Sequence, residues 1–124
     1  MDAEELKRRT KKFGLDVIGL VKSLPSSQTG KVIGNQLLRS ALSVGANYRA
    51  ACRGRSKSDF ISKVGIVIEE ADESQHWIEM LGDAGLASQE KLRPLIKEAD
   101  EIVAILTASA KTARANLNRT MHAK

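Results

Sequence analysis

Cysteine is almost missing from this 124-residue chain, and the single Cys52 excludes an internal disulfide and a multi-cysteine zinc site. Aromatic residues are as scarce: Phe13, Tyr48, Phe60 and Trp77 are the full set. A core must therefore be aliphatic, built from Leu, Ile, Val and Ala. No apolar run approaches the ~18 residues of a membrane span. The start, Met1-Asp-Ala-Glu-Glu-Leu, lacks the basic-then-apolar order of a signal peptide. The expectation is a soluble cytoplasmic protein with no membrane association. Acid is also missing where it matters: no Asp or Glu occurs from Val17 to Ser58, while Lys22, Lys31, Arg39, Arg49, Arg53, Arg55 and Lys57 are all basic.

What is present reads as one folded domain. Hydrophobic residues make up 42% and charged residues 28%, which is globular and not disordered composition. A chain of this length buries about two-thirds of its unfolded surface. The formal net charge of +5 is unevenly spread. Residues 59–110 hold eleven acids against four bases, whereas the first 58 residues and the tail (Lys111, Arg114, Arg119, Lys124) supply the positive charge. That asymmetry permits binding to a polyanion, and equally permits self-association between basic and acidic faces.

Four helical segments emerge, at about residues 3–23, 31–53, 57–81 and 93–118, within a single domain spanning 1–124. The first carries Leu6, Phe13, Val17, Leu20 and Leu24 at helical spacing, and Pro25-Ser-Ser-Gln-Thr-Gly30 breaks it. The second aligns Ile33, Leu37, Ala41, Val44, Tyr48 and Ala51. Ser56-Lys-Ser-Asp59 has capping-box spacing for the third. There Phe60, Val64, Val67, Ala71, Ser74, Ile78 and Leu81 alternate steps of four and three, until Gly82-Asp-Ala-Gly85. The fourth repeats the pattern at Leu92, Ile96, Ala99, Val103, Leu106, Ala110, Ala113 and Leu117. Pro94 is placed at its first helical position, with Ser88–Leu92 as a separate turn. A period near 3.5 residues marks the seams of near-parallel supercoiled helices, and short loops set sequential helices antiparallel. The expected architecture is all-α, an antiparallel up-down-up-down four-helix bundle.

Gly45 and Asn47 sit inside the small-residue second helix, where Gly costs about 1 kcal/mol relative to Ala. Close approach of another backbone is the compensation expected. At about 100° per residue, Lys31, Arg39, Arg49 and Arg53 share the outer side of this helix with Leu38 and Leu42. Ile66, Trp77 and Met80 sit off the seam of the third helix among Glu70 and Glu73. One stripe per helix suffices for a lone bundle. The second stripes therefore predict self-assembly through Leu38, Leu42, Ile66, Trp77 and Met80, with basic and acidic sides of neighbours adjacent.

Catalytic chemistry finds little support. Glu73-Ser-Gln-His76 has the Glu-x-x-His spacing of di-iron bundles, but His122, the only other histidine, has no matching Glu, so no metal site is expected. Cys52 has no implied base and reads as a small packing residue. Ser40 and Ser43 are expected to bond back to the preceding turn. Asn47 is assigned a structural role in helix register, with Glu73 on the adjacent helix as a possible acceptor. No phosphate-cradling loop and no cofactor motif is found. The one binding determinant left is the basic set Lys31, Arg39, Arg49, Arg53, Arg55 and Lys57. Without interleaved aromatics it would grip RNA or DNA phosphates with weak sequence preference and steep salt dependence. A solvated surface is the plain alternative.

Leu38-Arg-Ser-Ala-Leu-Ser-Val-Gly-Ala-Asn47, Arg53-x-x-Ser56-Lys-x-Asp-Phe60 and Glu69-Glu-Ala-Asp-Glu-Ser-x-x-Trp77 together resemble the four-helix-bundle proteins encoded within 23S rRNA intervening sequences. The similarity is dense over residues 36–81 and collinear elsewhere. It implies a homopentamer of antiparallel four-helix protomers without catalytic activity. The fold is also similar to the accessory proteins of diversity-generating retroelements, which bind a reverse transcriptase and nucleic acid. One departure is Tyr48-Arg-Ala-Ala51, where many members carry a segment ending in Glu-Gly and this chain has Ala50 for the acid. The expected function is a non-enzymatic, oligomeric nucleic-acid-binding accessory factor. The alternative is a protein-binding scaffold, for example to a reverse transcriptase, whose basic residues serve subunit contacts.

Overall fold

Each helix in the computed structural model, which describes residues 1–122, starts or stops where a side chain or turn satisfies loose backbone groups. Asp2 accepts from the Glu5 amide at 2.8 Å and opens α1 (Ala3–Lys22). Ser23 closes it, its hydroxyl donating to the Leu20 carbonyl at 2.6 Å. Helix α2 (Gln28–Cys52) begins nearly a turn earlier than its apolar spacing predicts, because Ser27 caps it by accepting from the Gly30 amide at 3.0 Å. A Cβ on Gly30 would stand 2.9 Å from that hydroxyl, so this glycine serves the cap from inside the first turn and breaks nothing.

Ser56 caps α3 (Lys57–Asp83), accepting from the Asp59 amide at 3.1 Å. The Asp59 carboxylate reaches back to the Arg55 amide at 3.2 Å, one residue before the cap. Helix α3 ends in a Schellman turn: Leu86 donates to the Leu81 carbonyl at 2.9 Å and Gly85 to Gly82 at 3.0 Å, with Gly85 at φ +71°. Helix α4 (Gln89–His122) contradicts the expected separate turn. Lys91 and Leu92 already bond the Ser88 carbonyl at 3.0 and 3.1 Å, and Pro94 lies inside the helix. Proline keeps a helical φ. The carbonyl left without its amide belongs to exposed Glu90, where water can serve it.

Among the described residues the regular elements are these four helices, with no strand. Helix α2 packs on α1 and α3, α3 packs on α4, and α1 meets α4 along the thinnest seam. Phe13 and Val17 from α1, Leu37 and Val44 from α2, Val64, Val67 and Ile78 from α3, and Leu92, Ile102 and Leu106 from α4 are essentially fully buried. Each such aliphatic burial stabilises the fold by about 1.5–3 kcal/mol. The expected α4 seam is corrected at two positions: Leu95 and Ile102 are buried, while Ile96 and Val103 are half-buried. Both pairs are adjacent aliphatics, so the helix can turn either member inward.

Small residues set the helix spacing. A Cβ on Gly45 would stand 3.3 Å from both the Lys11 nitrogen and the Thr10 carbonyl oxygen, all backbone of α1. Gly34 lies as close to Val21 of α1, and Gly82 of α3 to Leu92 of α4. The fully buried polar residues on these seams, Thr10, Ser40 and Ser74, are satisfied. Thr10 donates to the Leu6 carbonyl at 2.8 Å. Ser40 donates to Leu37, as expected, and meets Ser74 hydroxyl to hydroxyl at 3.0 Å across α2 and α3. The α1–α4 seam carries the clamp of Arg9 on Glu98, at 2.6 and 2.8 Å, and on Glu101 at 2.8 Å. That bidentate ion pair keeps the Arg9 guanidinium above its ordinary pKa, the Glu98 hydrogen bonds being the main cause.

Candidate nucleic-acid interface

The six expected phosphate ligands do not form one stripe. Lys31 sits in the first turn of α2, twenty-two residues from Arg53, which at 1.5 Å per residue is about 33 Å along the axis. Arg39 is taken: its guanidinium pairs with Glu73 through Nη2 and faces Glu70 Oε2 at 3.6 Å through Nη1. Arg39 is thus paired along the α2–α3 seam, and Lys31 lies at the far end of α2, both exposed.

The other four come together. Arg49 lies in the last turn of α2 and Arg53 at its C-cap, Arg55 follows in the turn, and Lys57 opens α3; all four are exposed. The turn is held tightly. Arg53 and Gly54 amides bond the Ala50 and Ala51 carbonyls at 3.1 and 3.0 Å, and a Cβ on Gly54 would crowd Ala51, Asp59 and Phe60. Asp59 is the acid nearest in sequence to the turn, and it is occupied by the Arg55 amide and by Lys63 at 3.2 Å. Those bonds, the backbone amide first and Lys63 next, hold its carboxyl below the ordinary pKa of 3.8.

A second basic group reaches the same end of the molecule. Lys57 and Phe60 share a groove with Met1 and with Ile105, Thr112, Ala113 and Asn116 of α4. That groove brings the end of α4, with exposed Lys111, Arg114 and Arg119, alongside the α2–α3 turn. Lys124 lies outside the described residues. On the sequence these charges form only an acid-free tail, with nothing to join them to the turn. Phe60 is half-buried, packed on one side against the core and lining that groove on the other.

Asn47 does not meet Glu73. Its amide donates to the Ser43 carbonyl at 2.9 Å within α2, while Glu73 accepts from Arg39 and, at 3.0 Å, from Trp77 Nε1. The reason is register. Ser40 is level with Ser74, and Asn47 is two turns further along α2, about 10 Å away. Ser43 bonds back to the Arg39 carbonyl, as expected. His76 stands edge-on to the Trp77 ring at 4.8 Å between centroids. Cys52 is half-buried beside Tyr48, whose phenol is pushed up in pKa by burial first and by Cys52 second.

The apolar residues expected to lie outside the core divide. Leu42, Ile66 and Met80 are exposed, whereas Leu38 and Trp77 are half-buried against the core. Among the described residues, no helix is long and apolar enough to cross a membrane.

Comparison with known proteins agrees with this architecture. The family model described as 23S rRNA-intervening sequence protein matches residues 4–108. A 1.70 Å crystal structure of a protein with unknown function from the S23 ribosomal protein family of Bacteroides thetaiotaomicron VPI-5482 is 32% identical, with a TM-score of 0.83. The match covers 90% of this chain and 99% of that one. No match was found among curated proteins. Neither similarity indicates an enzymatic family. On the family match over most of its length, the chain belongs to the 23S rRNA-intervening sequence protein family.

Proposed function

We propose that this chain is a non-enzymatic cytoplasmic accessory protein that binds RNA or DNA phosphates at one end of an antiparallel, up-down-up-down bundle, and that it works as a homo-oligomer. The observation that carries the reading is the groove that Lys57 and Phe60, just after Arg53 and Arg55, share with the end of α4, which carries exposed Lys111, Arg114 and Arg119. Among the described residues, none of these six side chains has a carboxylate within ion-pair distance. Unpaired cations gathered at one end attract a polyanion and release its counterions. With half-buried Phe60 as the aromatic side chain lining that groove, binding is dominated by phosphates and has little sequence preference. Partner numbers that fall along one helix as they rise along its neighbour support the antiparallel arrangement: Thr10 and Lys11 lie at Gly45, and Val21 at Gly34. A homopentamer is the assembly that the family resemblance implies.

Fluorescence anisotropy with labelled RNA and DNA tests the reading across about 50–200 mM salt. Affinity should fall steeply with salt. Arg53→Glu with Arg55→Glu should weaken binding on every sequence and lower the log–log slope by about 1 for each phosphate no longer gripped. Arg39→Gln should leave the slope unchanged. A salt-independent affinity, or one indifferent to the Arg53 and Arg55 reversals, overturns it.

The second reading is a protein-binding scaffold, for a reverse transcriptase or another partner. It is favoured by one observation: Arg49 lines a groove with Lys7, Lys11, Leu15 and Leu42, apolar at its floor and basic at its rim.

A further inference from the structure

Two surfaces remain that neither the core nor the basic end uses, and their chemistry is opposite. The first is the groove between α1 and α2. Gly14 and Gly45 let the two helices approach and form its floor. Leu15 and Leu42 stand beside it, 57% and 47% exposed, and Lys7, Lys11 and Arg49 rim it. Lys11 and Arg49 have no acidic partner among the described residues.

The second surface is the outer ridge of α3. Ile66, Glu69, Glu73 and Met80 follow one another at helical spacing, away from the buried stripe through Val64, Val67, Ala71 and Ile78. Ile66 is 43% and Met80 38% exposed, and Glu69 is exposed and unpaired among the described residues. Groove and ridge therefore each pair large apolar side chains with charge, of opposite sign.

The geometry points to the α1–α2 groove as the seat for the α3 ridge of a second copy of this chain. This inference rests on the self-assembly reading above and names its two faces. A groove set against another groove brings Lys11 and Arg49 toward their like, and a ridge against a ridge does the same to Glu69. Only groove against ridge buries the apolar residues while matching charge. Because the faces differ, the contact is heterologous: each copy offers one of each, and addition continues until a ring closes. Arg49 then belongs to the subunit contact, and Arg53, one turn further along α2, to the phosphate-binding end.

The test uses the full chain with Leu42→Asp, which spoils the groove, and Ile66→Asp, which spoils the ridge. Both positions are exposed, so helicity by circular dichroism should match the wild type. Sedimentation velocity at micromolar protein should find the wild type larger than a monomer and each variant monomeric. Mixed in equal amounts, the variants should form a dimer and nothing larger, since each retains the face the other lost. A monomeric wild type overturns the self-assembly reading together with this one. Variants that keep the wild-type mass, or a mixture that stays monomeric, overturn the face assignment alone. A charge exchange supplies a second readout. Arg49→Glu should raise the concentration of half-assembly at least tenfold, and Glu69→Lys in the same chain should recover it; no recovery overturns the charge matching.

Discussion

Gly45→Ala and Gly65→Ala make the same chemical change in adjacent helices, and the surroundings give them opposite signs. Alanine is favoured over glycine by about 1 kcal/mol in a helix interior. At Gly65 nothing lies within 4 Å of the new Cβ, so the whole gain should be realised. At Gly45 the Cβ meets the Thr10 carbonyl oxygen and the Lys11 nitrogen at 3.3 Å and the Lys11 Cα at 3.4 Å. These are backbone atoms of a helix and cannot rotate aside. To restore an ordinary contact of about 3.5–4.0 Å, α1 must move outward by a few tenths of an ångström. That shift loosens the packing of Phe13 and Thr10, both buried on the inner side of α1. Overpacking of this kind costs about 1–3 kcal/mol, against a gain of about 1. Gly45→Ala should therefore lose up to about 2 kcal/mol while Gly65→Ala gains about 1. Urea unfolding followed by circular dichroism, at one fixed protein concentration, reads this as midpoints displaced in opposite directions. If Gly45→Ala gains as much as Gly65→Ala, the close approach of α1 and α2 is refuted.

The Ser40–Ser74 pair is buried, and each hydroxyl also has a carbonyl of its own helix. Each single alanine should cost about 1 kcal/mol, and the double variant clearly less than the two together, because the one hydroxyl–hydroxyl contact is lost in either single variant and cannot be lost twice; a double-mutant cycle by urea unfolding checks it. Pro94→Ala should stabilise by about 1–3 kcal/mol, since it restores an amide inside α4 where proline is disfavoured. A thermal midpoint unchanged or lowered contradicts the continuous helix. Asp59 has a depressed carboxyl pKa in the folded chain, so it stabilises above about pH 3.8 and that contribution is lost as acid protonates it. Asp59→Asn should lower stability at neutral pH and flatten part of the fall below pH 4 in a stability–pH series.

Periodicity made most of the fold readable, and it failed where two neighbours were equally apolar. Leu95 with Ile96 and Ile102 with Val103 offer the same hydrophobicity one residue apart, so spacing alone cannot say which member turns inward. Packing against α3 and α1 chooses Leu95 and Ile102. Breakers misled in the same way. Gly30 and Pro94 resemble interruptions on a string of letters. In three dimensions one completes a cap and the other sits on a solvated turn. Thr10 is hard to recognise as a core residue because its hydroxyl is satisfied by its own helix, which hides its polarity from the interior.

The basic surface was legible as composition and its pairing was not, because a charge's freedom is decided by the helix beside it. Arg39 and Arg53 are indistinguishable on a helical projection of α2. The turn between α2 and α3 separates them. Folding the chain about that turn lays Ser40 on Ser74. In the proposed antiparallel arrangement the same reflection would set Arg39 near Gln75, half a turn from Glu73, Arg49 near Gly65, and Arg53 near Ile61, where the nearest acid of α3, Asp59, is held by the Arg55 amide and Lys63. Arg39 is thus paired by register and Arg53 left free by it. That reflection needs only the position of the Ser56 cap, which the spacing to Asp59 already marks. It also predicts that lengthening the turn by one residue would shift Arg39 away from Glu73 while leaving Arg53 and Arg55 unpaired. Such an insertion should cost stability through the α2–α3 seam and leave the salt dependence of nucleic-acid binding in place.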